Sequence, residues 1–321
     1  MVQSKTTFNQ PIAEAVAQGF SGKQKTLPSW LFYDETGDRI FQQIMRMPEY
    51  YPTRCEYDIL QQHKDDLLQH FTGNGGSFRL IELGAGDGIK TEILLKHFMA
   101  HGSPFTYLPI DISANALEQL SARLQRALPG LRIQPLNQSY DEALKSLHDH
   151  DDKKVILFMG ANIGNFTLQN AAQFLKKIAA HLSEEDLVLI GFDLKKDPRI
   201  IHEAYDDPHG LTSSFNLNIL TRLNRELGAE FNPAEFSHYP YYDPQTGTTK
   251  SFLISLKEQD VPIASLGGSV HFDLWETIQT EISQKYDLDM IEQLMATTGL
   301  KVADIFYDND NYFCDVLVKL A

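Results

Sequence analysis

Apolar positions divide the chain into three stretches with different rhythms. Residues 10–20 carry the spacing of a short amphipathic helix, and residues 37–46 (GDRIFQQIMR) place Ile40, Phe41 and Ile44 on one helical face. Pro52 limits further helix. A charged helix follows, with Ile59, Leu60, Leu67 and Leu68 as its apolar positions, and Gly73-Asn74-Gly75-Gly76 ends it. From residue 78 apolar runs at 78–83, 105–110, 131–135, 155–159 and 187–190 alternate with helical spacing near 88–100, 113–128, 140–148 and 168–182. Strands separated by helices predict βαβ units and a parallel sheet, whose ligands bind at the carboxyl ends of the strands. After about residue 195 the rhythm breaks. Helical spacing at 198–205 and 211–226 precedes strand-like runs near 236–242, 249–257 and 261–272, then a helix near 287–298 and strands at 301–307 and 312–318. The last three elements can rejoin the parallel sheet. The expected division is therefore 55–195 with 285–321 as one domain, and 1–54 with the insertion 196–284 as a second.

Composition narrows the classes of function. The 321 residues carry a net charge of −15, with 22% charged and 42% apolar residues. That excess of acid disfavours non-specific nucleic-acid binding and docking on anionic membrane. No run of about 18 apolar residues and no signal-peptide core is present. The two cysteines, Cys55 and Cys314, lack metal-ligand spacing and form no disulfide framework. A cytoplasmic protein is expected, in which the sequon Asn165-Phe166-Thr167 is incidental. Nothing fixes the oligomeric state, and a monomer satisfies the sequence. His148-Asp149-His150 is at most an adventitious metal binder, and no metal cofactor is expected.

The clearest chemical signal is IELGAGDGIKT, residues 81–91, which follows a strand and opens a helix. Glycines at 84, 86 and 88 allow tight turning and close approach to a ligand. A dinucleotide fingerprint would place its third glycine at Ile89. The G-x-G-x-G spacing is instead similar to the first motif of S-adenosylmethionine-dependent methyltransferases. Asp111, ending the run YLPID, offers two acceptor oxygens to the hydroxyls of a ribose. A nicotinamide-dependent oxidoreductase and a non-catalytic cofactor-binding module are the alternatives from other classes.

Residues 27–56, LPSWLFYDETGDRIFQQIMRMPEYYPTRCE, resemble the N-terminal signature of the histidine-specific Nα-methyltransferases of ergothioneine biosynthesis. The likeness continues through ELGAGDGIKT, YLPIDIS, LFMGANIGNFT, GFDLKKDP, AYDDPHGLTSSFNLNIL, NRELGAEF and TEISQKY, in order, to the C-terminus. It implies an α/β fold: a class I methyltransferase Rossmann-like sheet, with an α+β substrate-binding domain built from the N-terminal region and the insertion. It implies S-adenosyl-L-methionine as cosubstrate, L-histidine as substrate, and three methylations of the α-amine to give hercynine.

The resemblance also implies the site. For the cofactor it points to Tyr50, Gly84, Lys90, Asp111 and Tyr140. The family places an aspartate before that last aromatic, where this chain has Ser139; Ser139 or a backbone carbonyl is the expected substitute acceptor for the adenine. For the substrate it points to Tyr33, Phe41, Tyr50, Gly160, Asn165, Tyr205, Glu281 and Ser283, with Tyr50 as the catalytic candidate that orients the amine. Glu281 and Ser283 lie two apart in an extended stretch and can face one side. They favour histidine over the same family's tryptophan-type amines. Where relatives line the imidazole with a bulky apolar side chain this chain has Ser251, followed by Phe252; neither is assigned a role.

Overall fold

The computed structural model describes residues 8–73, 76–146 and 152–321, and the chain forms two compact units. Met1–Tyr50 and Asp197–Ser283 form the first, Tyr51–Lys196 and Gln284–Ala321 the second. The first unit opens with α1 (Gln10–Phe20), β1 (Lys25–Thr26) and α2 (Glu35–Ile44). The second begins with α3 (Tyr51–Thr72), then β2 (Phe78–Leu83), α4 (Thr91–Ala100), β3 (Phe105–Asp111) and α5 (Ala114–Ala127). It continues through β4 (Leu136–Asn137), α6 (Tyr140–Ser146), β5 (Lys153–Phe158), α7 (Leu168–Ala179) and β6 (Leu187–Asp193). The first unit resumes with α8 (Pro198–Tyr205), α9 (Leu211–Leu227), β7 (Phe236–Asp243), β8 (Thr248–Ser255), β9 (Gln259–Ile263), β10 (Gly268–Phe272) and β11 (Thr277–Gln284). Then α10 (Leu288–Ala296), β12 (Leu300–Tyr307) and β13 (Phe313–Leu320) complete the second.

The second unit is built on a seven-stranded sheet of order β12-β13-β6-β5-β2-β3-β4. Its strands from β6 to β4 pair in parallel, and β13 runs antiparallel to both β6 and β12. Every residue of β6 is buried, as a central parallel strand covered by helices on both faces requires. Strand order reverses between β2 and β5, so the crevice for a ligand lies at their carboxyl ends. This is the class I methyltransferase arrangement that the sequence resemblance implied. The first unit carries a four-stranded sheet of order β1-β11-β8-β7 and a β9–β10 hairpin, packed on α1, α2 and α9 through a core of its own.

Local chemistry explains the boundaries that differ from expectation. Pro52 sits in the first turn of α3, where its missing N–H is harmless. The helix therefore starts at Tyr51, and the units meet at 50/51 instead of 54/55. In the run 131–135 only Ile133 bridges to β3, and the ladder proper is β4; Pro135, with no N–H, interrupts it. The run 261–272 is two strands, split by a turn over Ala264–Leu266 that Gly267 completes at φ +66°. His148-Asp149-His150 lies outside the described residues.

Candidate functional site

In the second unit the expected cofactor residues gather at the carboxyl ends of β2, β3 and β5. Gly84 has φ +77°, and a Cβ there would come within 2.7 Å of the Tyr140 hydroxyl and 3.1 Å of Asn162 Nδ2. Asp111 ties the loop down: Oδ2 accepts the Gly86 N–H (2.9 Å) and Oδ1 the Ser113 N–H (2.9 Å). Each oxygen keeps a lone pair for a ribose hydroxyl. Tyr140 packs edge-on against Phe158 (5.5 Å) and beside Phe174 (5.6 Å), and burial, then Asp111, pushes its phenol up. A glycine cradle, a carboxylate with free lone pairs and a flat aromatic wall fit a nucleoside carrying an amino-acid tail.

Ser139 has a different task from the one expected. Its N–H and hydroxyl both donate to Glu142 (2.8 and 2.7 Å), and its oxygen accepts the Glu142 N–H at 3.4 Å. This S-x-x-E arrangement is a capping box at the start of α6. The helix terminus gives this serine a capping role of its own.

Lys90 is held by a residue that sequence reasoning passed over. Glu56, fully buried on α3, forms an ion pair with Lys90 Nζ through one oxygen and accepts the Gly160 N–H through the other (2.7 Å). Burial works against the Lys90 charge, but Glu56 beside it keeps the ammonium above the ordinary lysine range. Buried Asp315 lies beside the pair: burial, then Glu56, pushes its carboxyl well above the usual range. Gly191 leaves room for this carboxylate, since a Cβ would lie 2.4 Å from Glu56 Oε1. One carboxylate thus links a cofactor candidate to a substrate candidate. Gly160 has φ +74°, and Asn165 ends the short 3-10 turn that follows it.

The first unit holds the other substrate candidates. Asp34 caps α2 by accepting the Gly37 N–H (2.8 Å) and ties it to α9 through Asn218 Nδ2 (2.9 Å). A Cβ on Gly37 would strike the Phe32 carbonyl at 1.7 Å, which accounts for the glycine in YDETGD. Tyr33 and Phe41 meet edge-on at 5.8 Å, and Phe41 and Tyr50 at 6.1 Å. Phe215 of α9 packs on Tyr33 (5.9 Å) and Phe41 (5.6 Å) and is the fourth ring of the group. Tyr205 ends α8, almost wholly buried. The block DDPHGLT that follows is a helix start: Asp207 accepts the N–H groups of His209, Leu211 and Thr212 (3.0, 3.0 and 2.7 Å).

Glu281 and Ser283 both lie on β11, two residues apart and so on one face. Ser251 of the neighbouring β8, fully buried, donates to Glu281 Oε2 at 3.0 Å. Thr280 donates to Asn216 Oδ1 (2.6 Å), anchoring the same strand to α9. Ser251, unassigned from sequence, therefore helps to orient the acid. Among the described residues one group of three, Asp65, His97 and His101, brings ligand-type atoms together; His97 Nε2 lies 3.0 Å from Asp65 Oδ1, and none of the three is a site candidate.

Comparison with known proteins adds an independent line. The family described as "Histidine-specific methyltransferase, SAM-dependent" matches residues 12–320. The chain is 34% identical over 284 residues to a histidine N-alpha-methyltransferase of Mycobacterium tuberculosis, covering 88% of this chain and 87% of that protein. It is 31% identical over 253 residues to ergothioneine biosynthesis protein 1 of Schizosaccharomyces pombe, covering 74% of this chain and 32% of that protein. It is 27% identical over 328 residues to a 4-dimethylallyltryptophan N-methyltransferase of Claviceps fusiformis, covering 96% of this chain and 90% of that protein.

Proposed function

The chain belongs to the histidine-specific, S-adenosylmethionine-dependent methyltransferase family, and we propose that it converts L-histidine to hercynine by three methylations of the α-amine, the first step of ergothioneine biosynthesis. The observation that carries the choice of amine is the face of β11 that presents Glu281, held through one oxygen by Ser251, beside Ser283. An imidazole has two nitrogens: a carboxylate accepts the N–H of one, and a serine hydroxyl can donate to or accept from the other. An indole offers only one N–H and leaves part of this set unused.

The cosubstrate supplies a methyl group already activated on a sulfonium, so the residues of this chain mainly bind and align. Gly84, Asp111 and Tyr140 form the nucleoside side, with Lys90 toward the amino-acid end. Asn165 and Tyr205 hold the substrate carboxylate through neutral donors. The amine must be neutral to attack; an α-amino group titrates near about 8 in a peptide, and a nearby sulfonium favours the neutral form. Tyr50 orients that amine, and the proton leaves to water. As methyls accumulate the nitrogen becomes a quaternary cation, which the rings of Tyr33, Phe41 and Tyr50 suit.

We place the enzyme in the cytoplasm. Cys55 and Cys314 are free, buried thiols, and burial pushes both up, away from the reactive thiolate. Among the described residues no helix is long and apolar enough to cross a membrane.

The decisive experiment offers the protein labelled S-adenosylmethionine and a mixture of amino acids and reads the products by mass spectrometry. A gain of three methyls on histidine alone is expected; methylation of a tryptophan derivative, or of nothing, would refute the reading. Asp111→Ala is expected to weaken cofactor binding by about 30- to 100-fold, the loss of charged hydrogen bonds to two hydroxyls. Calorimetry checks it, and an unchanged dissociation constant would remove Asp111 from the ribose.

A further inference from the structure

The chain enters the second unit at Tyr51, leaves it at Lys196 and re-enters at Gln284. Asp193, which ends β6 and is fully buried, gathers a side chain from each of these joints. Its two oxygens lie 2.8 and 2.9 Å from the Tyr51 hydroxyl, which donates to them. Lys196 Nζ donates to Oδ1 (2.5 Å), and Lys285 Nζ lies 2.7 Å from Oδ2. Lys196 also donates to the Tyr51 hydroxyl (2.8 Å) and sits 4.1 Å from the centre of the Tyr51 ring. The backbone repeats the attachment: Tyr286 N–H donates to the Asp193 carbonyl (2.9 Å), and Lys195 N–H to the Tyr286 carbonyl (2.7 Å).

Stability alone does not account for this network. Lys285 is 1% exposed and the Lys196 side chain 4%, so two ammonium groups and one carboxylate have all left water. Well-packed apolar side chains of similar volume commonly do as well or better, and buried ion sets are best attested as devices that fix geometry. The Lys196 ammonium also lies over the Tyr51 ring, an aromatic face that suits a cation. What the network fixes is specific. Tyr51 is bonded to Tyr50, and Lys285 follows Ser283 by two residues.

We propose that Asp193 is a positioning residue for substrate binding: by holding the chain at Tyr51, Lys196 and Lys285 it fixes the backbone next in sequence to Tyr50 and to the Glu281–Ser283 pair. The inference rests on the reading that Tyr50, Glu281 and Ser283 contact the substrate. Tyr51→Phe removes one hydroxyl and leaves volume and charge intact. It should raise the KM for histidine about tenfold, a buried hydrogen-bond partner being lost, while kcat changes less and the cofactor dissociation constant stays within about twofold. Asp193→Asn, which strands two buried ammonium groups, should raise the KM further. A purely structural role would lower melting temperature and move both substrates together. A histidine KM within twofold of wild type in folded Tyr51→Phe would overturn the proposal, whether or not Asp193→Asn folds. Wild-type protein that methylates a different amine would overturn the histidine reading instead, and the KM comparison is then made on that amine with the same criteria.

Discussion

Glu281→Ala should lower kcat/KM for histidine by about 10³-fold while leaving the affinity for S-adenosylmethionine within about twofold. A site built to hydrogen-bond its substrate rejects a mismatch far more strongly than an apolar pocket does, by as much as 10⁴–10⁵; losing one of two such groups is placed below that. The alanine also strips buried Ser251 of its acceptor, so some of the effect is loss of local order. Glu281→Gln separates the two contributions. It keeps the shape and an oxygen for Ser251 but removes the charge, and should fall between alanine and wild type. Steady-state kinetics with histidine, together with calorimetry of the cofactor, checks the split. Histidine turnover unchanged in Glu281→Ala would end the argument for histidine from this face of β11.

The legible part of this protein is what local patterning encodes. The alternation of apolar runs and helical spacing between 78 and 190 gave the parallel half of the sheet. The G-x-G-x-G loop and Asp111 gave its ligand edge, because both lie at the ends of strands that periodicity locates. Glu281 and Ser283 stand out only through the family likeness, since an acid in a polar stretch reads by itself as surface, and the strand β11 that carries them has no clear alternation. What stayed hidden depends on partners distant in sequence. Asp193 meets Tyr51 across 142 positions, and Ser251 meets Glu281 across 30. Neither separation leaves a periodic trace. The capping role of Ser139 is local by contrast: its partner Glu142 is three residues away, and S-x-x-E is a signature the sequence displays. Glu56 did leave a local trace. It shares a helical face with Ile59 and Leu60, both fully buried, and an acid inside an apolar stripe calls for a buried partner.

That partner makes Glu56→Ala the most damaging single change expected for folding. Removing one member of a buried ion pair leaves the other uncompensated and costs about 3–5 kcal/mol. For a unit of this size that corresponds to a fall of about 10 °C in melting temperature. The alanine strands Lys90 and takes the acceptor from the Gly160 N–H at once. Asp315 limits the damage. Burial and Glu56 push its carboxyl up while Lys90 pulls it down, so removing Glu56 favours its ionised form. Glu56→Gln tests that exchange, since the amide oxygen can still accept from Gly160 while the charge passes to Asp315. It should melt closer to wild type than Glu56→Ala does, and the double variant Glu56→Gln with Asp315→Asn should be worse than either single change. Cofactor affinity should follow the same order, because Lys90 can serve the cofactor only while something buried beside it carries the balancing charge. Thermal unfolding of wild type, the three single variants and the double variant, with calorimetry on those that fold, decides it. A Glu56→Ala protein that melts with wild type would show that the Glu56–Lys90 pair holds nothing.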